Sequence, residues 1–305
     1  MSKAGAIAPD PTMIGNVAEP PFARLPDPAT LFSARAARFE TLAQGHPLGP
    51  YLRFLGHLCG CQHHVQDGLP AVDLPAAAAL AQAREHAMPA LDRGHFTTDA
   101  ACDATLDRLF TLAADIEMPN TAGAALTRVR AADAAARDEM VRSVLADSIP
   151  VETMAEHVYV AAALQVHFAR MASRLDAKSL VPVGDGACPS CGGAPVASAI
   201  VGWPGAHGAR FCICSLCATQ WHVVRIKCVL CGSTGGVAYQ ELEGGNTNVK
   251  AETCEKCHGF VKILYQTKAP ELEPVADDVA SLGLDLLLRD EGYRRGAVNP
   301  FLLGY

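Results

Sequence analysis

The sequence predicts a multidomain α+β protein. An all-α N-terminal domain comes first, then two tandem rubredoxin-like, zinc-ribbon-type four-cysteine subdomains, then a C-terminal helix. Three observations carry this. Apolar residues recur at helical spacing over most of 27–180. Near residue 180 the composition turns to Gly, Cys, Val and Thr in short strand-like segments. Beyond that point lie four C-x-x-C pairs, in two quartets offset by 40 residues. The chain has 305 residues, 50% hydrophobic and 19% charged. That length suits about two domains, and the composition suits a folded chain.

The elements follow in order. Residues 1–26 are rich in Pro, Ala and Gly and read as a flexible arm. Asp27 and Pro28 mark a helix start, as a cap and a first-turn proline. Leu31, Phe32, Ala36, Phe39 and Leu42 then form one apolar stripe, which His46-Pro47-Leu48-Gly49-Pro50 breaks. A second helix opens at Tyr51 with Leu52, Phe54, Leu55 and Leu58. Amphipathic patterns over 73–88, 98–115, 119–147 and 151–175 complete a domain of six or seven helices spanning 27–180. The first ribbon spans 181–225 and the second 226–270. Helical character returns at 274–291 within a final segment, 271–305.

The cysteines define the chemistry. Cys188, Cys191, Cys214 and Cys217 form one quartet, and Cys228, Cys231, Cys254 and Cys257 the other. Each reads C-x2-C, 22 residues, C-x2-C. The flanks repeat too: Gly192 and Gly232 follow the second cysteine of each unit. Trp221-His222-Val223-Val224 and Val261-Lys262-Ile263-Leu264 follow the fourth as strands. Two tight knuckles facing each other place four thiolates at the corners of a tetrahedron, which suits zinc or iron. A ribbon this small buries too little apolar surface to fold on that alone. Structural zinc in small fingers supplies ~10–16 kcal/mol. Two metal ions per chain are expected, each held within one contiguous quartet. With four sulfur ligands no position is left for water or substrate, so hydrolytic metal catalysis is not expected.

Other candidates read as structural. Cys212 offers a competing frame with Cys214, but the 40-residue period selects Cys214 and leaves Cys212 a small buried residue. His222 and His258 lie beside knuckles already complete in sulfur. His57, Cys61 and His64 share a helix face, with Cys59 and His63 on another, yet no second knuckle or carboxylate accompanies them. Arg225 and Lys227 belong to a mild basic surplus over 185–270, seven Lys/Arg against five Asp/Glu. The whole chain is acidic, at net charge −7 and pI about 5.9, which argues against a dedicated nucleic-acid binder. Charge interrupts every apolar stretch before ~20 residues, so no membrane insertion is expected. Met1 to Pro21 lacks the apolar core of a signal peptide. A cytoplasmic location is therefore expected, and twelve cysteines in a reducing compartment indicate metal or redox chemistry. No Gly-rich dinucleotide fingerprint is present.

Several words of sequence, taken in order, resemble the formate dehydrogenase accessory protein family, FdhE. They begin with Leu25-Pro26-Asp27-Pro28, Arg35-Ala36-Ala37-Arg38-Phe39 and His46-Pro47-Leu48-Gly49-Pro50-Tyr51-Leu52. The most specific is Cys188-Pro189-Ser190-Cys191-Gly192-Gly193-Ala194-Pro195-Val196-Ala197-Ser198. Cys214-Ser215-Leu216-Cys217, Trp221-His222-Val223-Val224-Arg225-Ile226-Lys227-Cys228 and Ala251-Glu252-Thr253-Cys254 follow. Ala276-Asp277-Asp278-Val279-Ala280-Ser281-Leu282 and Asn299-Pro300-Phe301-Leu302 close the series. Gln220 and Ile213 depart from the acidic residue and histidine expected there, and the metal ligands are unaffected.

The resemblance implies a cytoplasmic maturation factor, not an enzyme, acting on the catalytic subunit of formate dehydrogenase. It also implies rubredoxin-like ribbons with iron favoured and zinc possible, held by the eight knuckle cysteines. Trp221, His222 and Arg225 are the expected partner-binding residues. The alternative is a zinc-ribbon adaptor that binds nucleic acid or another protein.

Overall fold

The computed structural model describes residues 19–302. Residues 1–18 of the expected arm therefore lie outside the described residues. Helix α1 (Pro28–Leu42) begins as its sequence dictates: the Asp27 side chain accepts from the Ala29 amide, and Pro28 takes the first position, where no amide is needed. Phe32 and Phe39 bury one face of α1 against α2 (Gly49–His64), which starts two residues before Tyr51. The pattern over 73–88 gives only a short α3 (Ala77–Glu85), none of whose residues is buried. Next comes α4 (Ala100–Ala113), capped by Asp99. The long pattern over 119–147 is two helices, α5 (Asn120–Ala131) and α6 (Ala134–Leu145). Asp133 breaks the run because its carboxylate caps α6 at the Ala136 amide. A helix buried nearly all round, α7 (Met154–Ala172), forms the axis of the domain.

The second half is one sheet. The first ribbon supplies β2 (Pro195–Ile200), β3 (Arg210–Cys214) and β4 (Gln220–Val223). The second supplies β5 (Val237–Gln240), β6 (Val249–Cys254) and β7 (Gly259–Tyr265). With β1 (Ala23–Arg24) and β8 (Arg294–Arg295) the sheet has eight strands, in the order β1-β4-β3-β2-β7-β6-β5, with β8 beside β7. Each ribbon is an antiparallel meander. The two join head to tail through a parallel pairing of β2 with β7, Ser198 opposite Ile263. The ribbons expected as separate subdomains thus share a single mixed sheet. Within the expected arm, Ala23 lies opposite Trp221 and closes the β4 edge.

The C-terminal helical pattern is two helices, α8 (Pro274–Ala280) and α9 (Leu282–Asp290). They part at Ser281, whose hydroxyl bonds back to the Asp277 carbonyl at 2.7 Å. Helix α8 ties the two halves together. Asp277 takes a bidentate bond from Arg38 of α1 at 2.7 and 2.8 Å, and Glu273 pairs with Arg35 at 2.9 Å. One hydrophobic core consequently runs from Phe32, Leu55 and Leu164 through to Val196, Phe211 and Val279. No described helix is long and apolar enough to cross a membrane.

Candidate metal centres

Both quartets assemble as contiguous groups: the four sulfurs of each lie within 4.8 Å of one another. Among the described residues these are the groups of ligand type and spacing able to hold a metal. The knuckles repeat in detail. Cys188 donates its amide to the Gly193 carbonyl, and Gly192 donates to that of Cys188. Forty residues on, Cys228 donates to Ser233 and Gly232 to Cys228. Gly192 and Gly232 sit at φ +76° and +73°, where a side chain would be strained. A Cβ on Gly192 would also lie 2.9 Å from Pro89. Ala218 and His258, each following a fourth cysteine, both adopt positive φ, at +58° and +53°.

The donor sets fit a tetrahedral thiolate site. A metal–sulfur bond of about 2.3 Å implies sulfur–sulfur edges of about 3.8 Å. In the second quartet Cys228–Cys257 and Cys231–Cys254 are each 3.8 Å apart. In the first, Cys188–Cys217 is 3.5 Å and Cys191–Cys214 is 3.4 Å. Amide donors aim at the sulfurs, as stabilisation of thiolates requires. The amides of Leu216 and Cys217 both point to Cys214 Sγ at 3.4 Å. At Cys254 burial opposes the thiolate. The amides of Cys257 and Lys256, with the Cys231 and Cys228 thiols, outweigh it and bring the group down to about 7.

The two centres differ in cover. All four cysteines of the first are buried, because the helical domain closes over them. Residues 90–93 run beside its first knuckle, with the Leu91 amide bonded to the Ser190 carbonyl at 2.7 Å and that of Arg93 to Cys191 at 3.1 Å. Gln165 of α7 donates to the Ser215 carbonyl at 2.8 Å in its second knuckle. No such clamp meets the second centre, where Cys231 is exposed and Cys257 half-buried.

The remaining sequence candidates fall as follows. Cys212 is buried, which pushes its thiol up to about 12, so it is inert. Cys59 and Cys61 are buried in α2, whereas His57 and His64 face solvent. Trp221 is buried in the sheet. His222 is half-buried with its ring 5.5 Å from Phe211, and burial lowers its pKa. Arg225 is exposed, between Val224 and Ile226, which are 59% and 63% exposed.

Two buried charge clusters escaped the sequence reading. Arg210 on β3 and Glu252 on β6 pair at 2.7 Å across the ribbon junction, both essentially without solvent. Lys262 on β7 is fully buried; its Nζ donates to the Asp278 and Ser281 carbonyls at 2.8 and 3.1 Å and meets the carboxylates of Asp278 and Asp285. Arg295 reaches the same two carboxylates. Burial opposes the Asp278 carboxylate, but Arg295 and Lys262 hold it below the usual range. A lysine inside a strand and the Asp277-Asp278 pair on an otherwise apolar helix were the available signals.

A helical domain clamped onto a duplicated four-cysteine ribbon sheet defines a two-centre metal-binding protein with closed sulfur sites. Comparison with known proteins gives it a family. Models described as "FdhE, N-terminal", "FdhE, central domain" and "FdhE, C-terminal domain" match residues 20–185, 187–225 and 226–302. The chain is 48% identical over 301 residues to a protein FdhE homolog of Rhizobium meliloti, covering 98% of each chain. It is 34% identical over 277 residues to protein FdhE of Escherichia coli K12, covering 89% of this chain and 88% of that one. The crystal structure of the FdhE protein from Pseudomonas aeruginosa superposes with a TM-score of 0.83 at 33% identity, covering 93% of this chain and 99% of that one. The chain belongs to the FdhE family.

Proposed function

We propose that this chain is a cytoplasmic accessory factor, not an enzyme, that acts on the catalytic subunit of formate dehydrogenase during its maturation. The observation that carries this reading is full-length FdhE membership together with two closed four-sulfur centres. Sites without an open coordination position suit a scaffold or an electron carrier better than a hydrolase. Cys188, Cys191, Cys214 and Cys217 would hold one ion, and Cys228, Cys231, Cys254 and Cys257 the other. A ferric ion in such a rubredoxin-like site supplies one-electron redox chemistry, and zinc supplies rigidity alone. Iron is favoured, with zinc accepted by the same thiolates.

The ribbons rigidify a surface for the client. The linker between them exposes Val224, Arg225 and Ile226, two apolar side chains around a cation. Such a combination is enriched in protein interfaces. Half-buried His222 borders it, and Trp221 braces it from below.

The test is a deletion strain complemented with variants. Loss of the gene should abolish formate dehydrogenase activity while the catalytic polypeptide is still made. Normal formate oxidation in the deletion strain would overturn the reading.

A further inference from the structure

The duplication offers an internal template for what the open end of the sheet accepts. A shift of about 40 residues carries β4 onto β7, β3 onto β6 and β2 onto β5. In the first unit the outer edge of β2 is filled: β7 lies parallel to it, with Ser198, Ala199 and Ile200 opposite Ile263, Leu264 and Tyr265. In the second unit the matching edge belongs to β5, which among the described residues pairs only with β6.

The registers show that the edges correspond. Ser198 lies opposite Cys212, and Tyr239 lies opposite Glu252, forty residues after Cys212. Tyr239 therefore stands where Ser198 stands, the irregularity between Pro195 and Ala197 absorbing one residue. On β5 the Gly236 carbonyl accepts from the Glu255 amide, so alternate residues from Gly236 face β6. The backbone groups of Val237 and Tyr239 face outward, as those of Ser198 do toward β7. Unpaired outward groups of this kind template the addition of a strand.

Two further features converge on the edge. Helix α9 lays Leu284 and Leu288 on the sheet and turns Asp285 toward Lys262 and Arg295. Its opposite flank carries Gly283, within 3.4 Å of the Leu242 side chain for an added Cβ, and one turn on Leu287, which is 49% exposed. Leu242 follows β5 by two residues. The first unit provides the parallel, since Val275, Ala276 and Val279 of α8 share one core with Ala199 and Leu264 at the β2–β7 junction. Polar contacts also link the edge to the Arg225 linker. The Tyr239 hydroxyl donates to Glu252 at 3.3 Å, Glu252 pairs with Arg210, and Arg210 donates to the Arg225 and Lys227 carbonyls at 3.3 and 3.2 Å.

We propose that the β5 edge, Val237–Gln240, with Leu287 as its apolar ledge, takes an extended segment of the client polypeptide as a ninth strand. The strand lies parallel to β5 and carries apolar side chains at alternate positions, one face meeting α9 as β7 meets α8. The place rests on the duplicated geometry, and the identity of the client rests on the accessory reading.

The test uses the intact, metal-loaded chain and two probes: overlapping synthetic peptides spanning the formate dehydrogenase catalytic subunit, and that subunit whole. Peptides of alternating apolar pattern should bind and slow hydrogen exchange at the Val237 and Tyr239 amides. Val237→Pro removes one outward donor and spares the β6 ladder. It should weaken binding roughly 3- to 10-fold, the value of one hydrogen bond. Leu287→Lys should weaken binding comparably, and both variants should keep two metals and the wild-type circular dichroism. Subunit binding with β5 unprotected and both variants silent overturns the edge proposal and leaves the accessory reading. Peptide protection at β5 without any binding of the whole subunit has the reverse meaning. A wild-type dimer that Val237→Pro dissociates would assign the edge to a second copy of this chain and overturn the proposal.

Discussion

His167 shows how one residue can record the pH response of the helical domain. It is fully buried on α7, its ring 5.5 Å from Phe96 and 6.0 Å from Phe168, and neither ring nitrogen has a hydrogen-bond partner among the described residues. Burial, opposed in part by Asp99, lowers its pKa to about 4. The unfolded chain binds the proton near the ordinary value of 6.5, so it takes up more protons than the folded one between those limits. Stability is therefore full above pH 6.5 and lost as pH falls toward 4, by roughly 3 kcal/mol for a shift of this size. His167→Phe should flatten that part of the curve in urea titrations at several pH values; an unchanged slope would remove the assignment. The cysteines differ in the same residue-level terms. Cys191→Ser strikes a buried ligand clamped by the Arg93 amide, whereas Cys231→Ser strikes an exposed one. Both should drop the metal content from two ions to one, but Cys191→Ser should lower the urea midpoint more. The eight ligands were legible because the spacing alone selects them. The burial of Trp221 was not, since it depends on Ala23 pairing with it from far away in sequence.

At the scale of elements, β3 and β6 are joined by the buried Arg210–Glu252 pair. Burial raises the Glu252 pKa while Arg210 and the Tyr239 hydroxyl pull it back, so the carboxylate depends on its partner. Arg210→Leu should cost about 3–5 kcal/mol by stranding that carboxylate. The double variant Arg210→Leu/Glu252→Leu should recover most of the loss in equilibrium unfolding, and a double variant no better than the single would show that the Ser198 and linker bonds of Arg210 matter more. The unequal cover of the two ribbons gives a second expectation. A chelator should remove one ion early and the other late, and the early phase should vanish in Cys231→Ser. Two equal phases in a colorimetric metal-release assay would show that cover does not control access. Helix starts at Asp27 and Asp99 could be read locally, because a cap acts within a few residues. The breaks at Asp133 and Ser281 were hidden, since each sits in an unbroken apolar rhythm and acts through a side-chain bond that periodicity does not register.

Across the whole molecule, the core that runs from α1 to β3 couples metal to helices. Cys191→Ser should therefore lower the helical melting midpoint followed at 222 nm, although no helix carries a ligand. Helices that melt as in the wild type would show two independent units. The sequence revealed two ribbons because the 40-residue period is local. It concealed their fusion because the β2–β7 contact joins strands separated by a whole unit. That separation also sets a timetable for the newborn chain. A ribosome delivers ~5–20 residues per second, so β2 emerges roughly 3–13 s before the strand that will lie beside it. In that interval the first quartet is already complete and can close on its ion, while the second is still inside the ribosome. Metal acquisition is thus ordered by synthesis, the clamped centre first and the open one last. A pause between Arg225 and Gly259 would hold a loaded first ribbon with one flank waiting for β7.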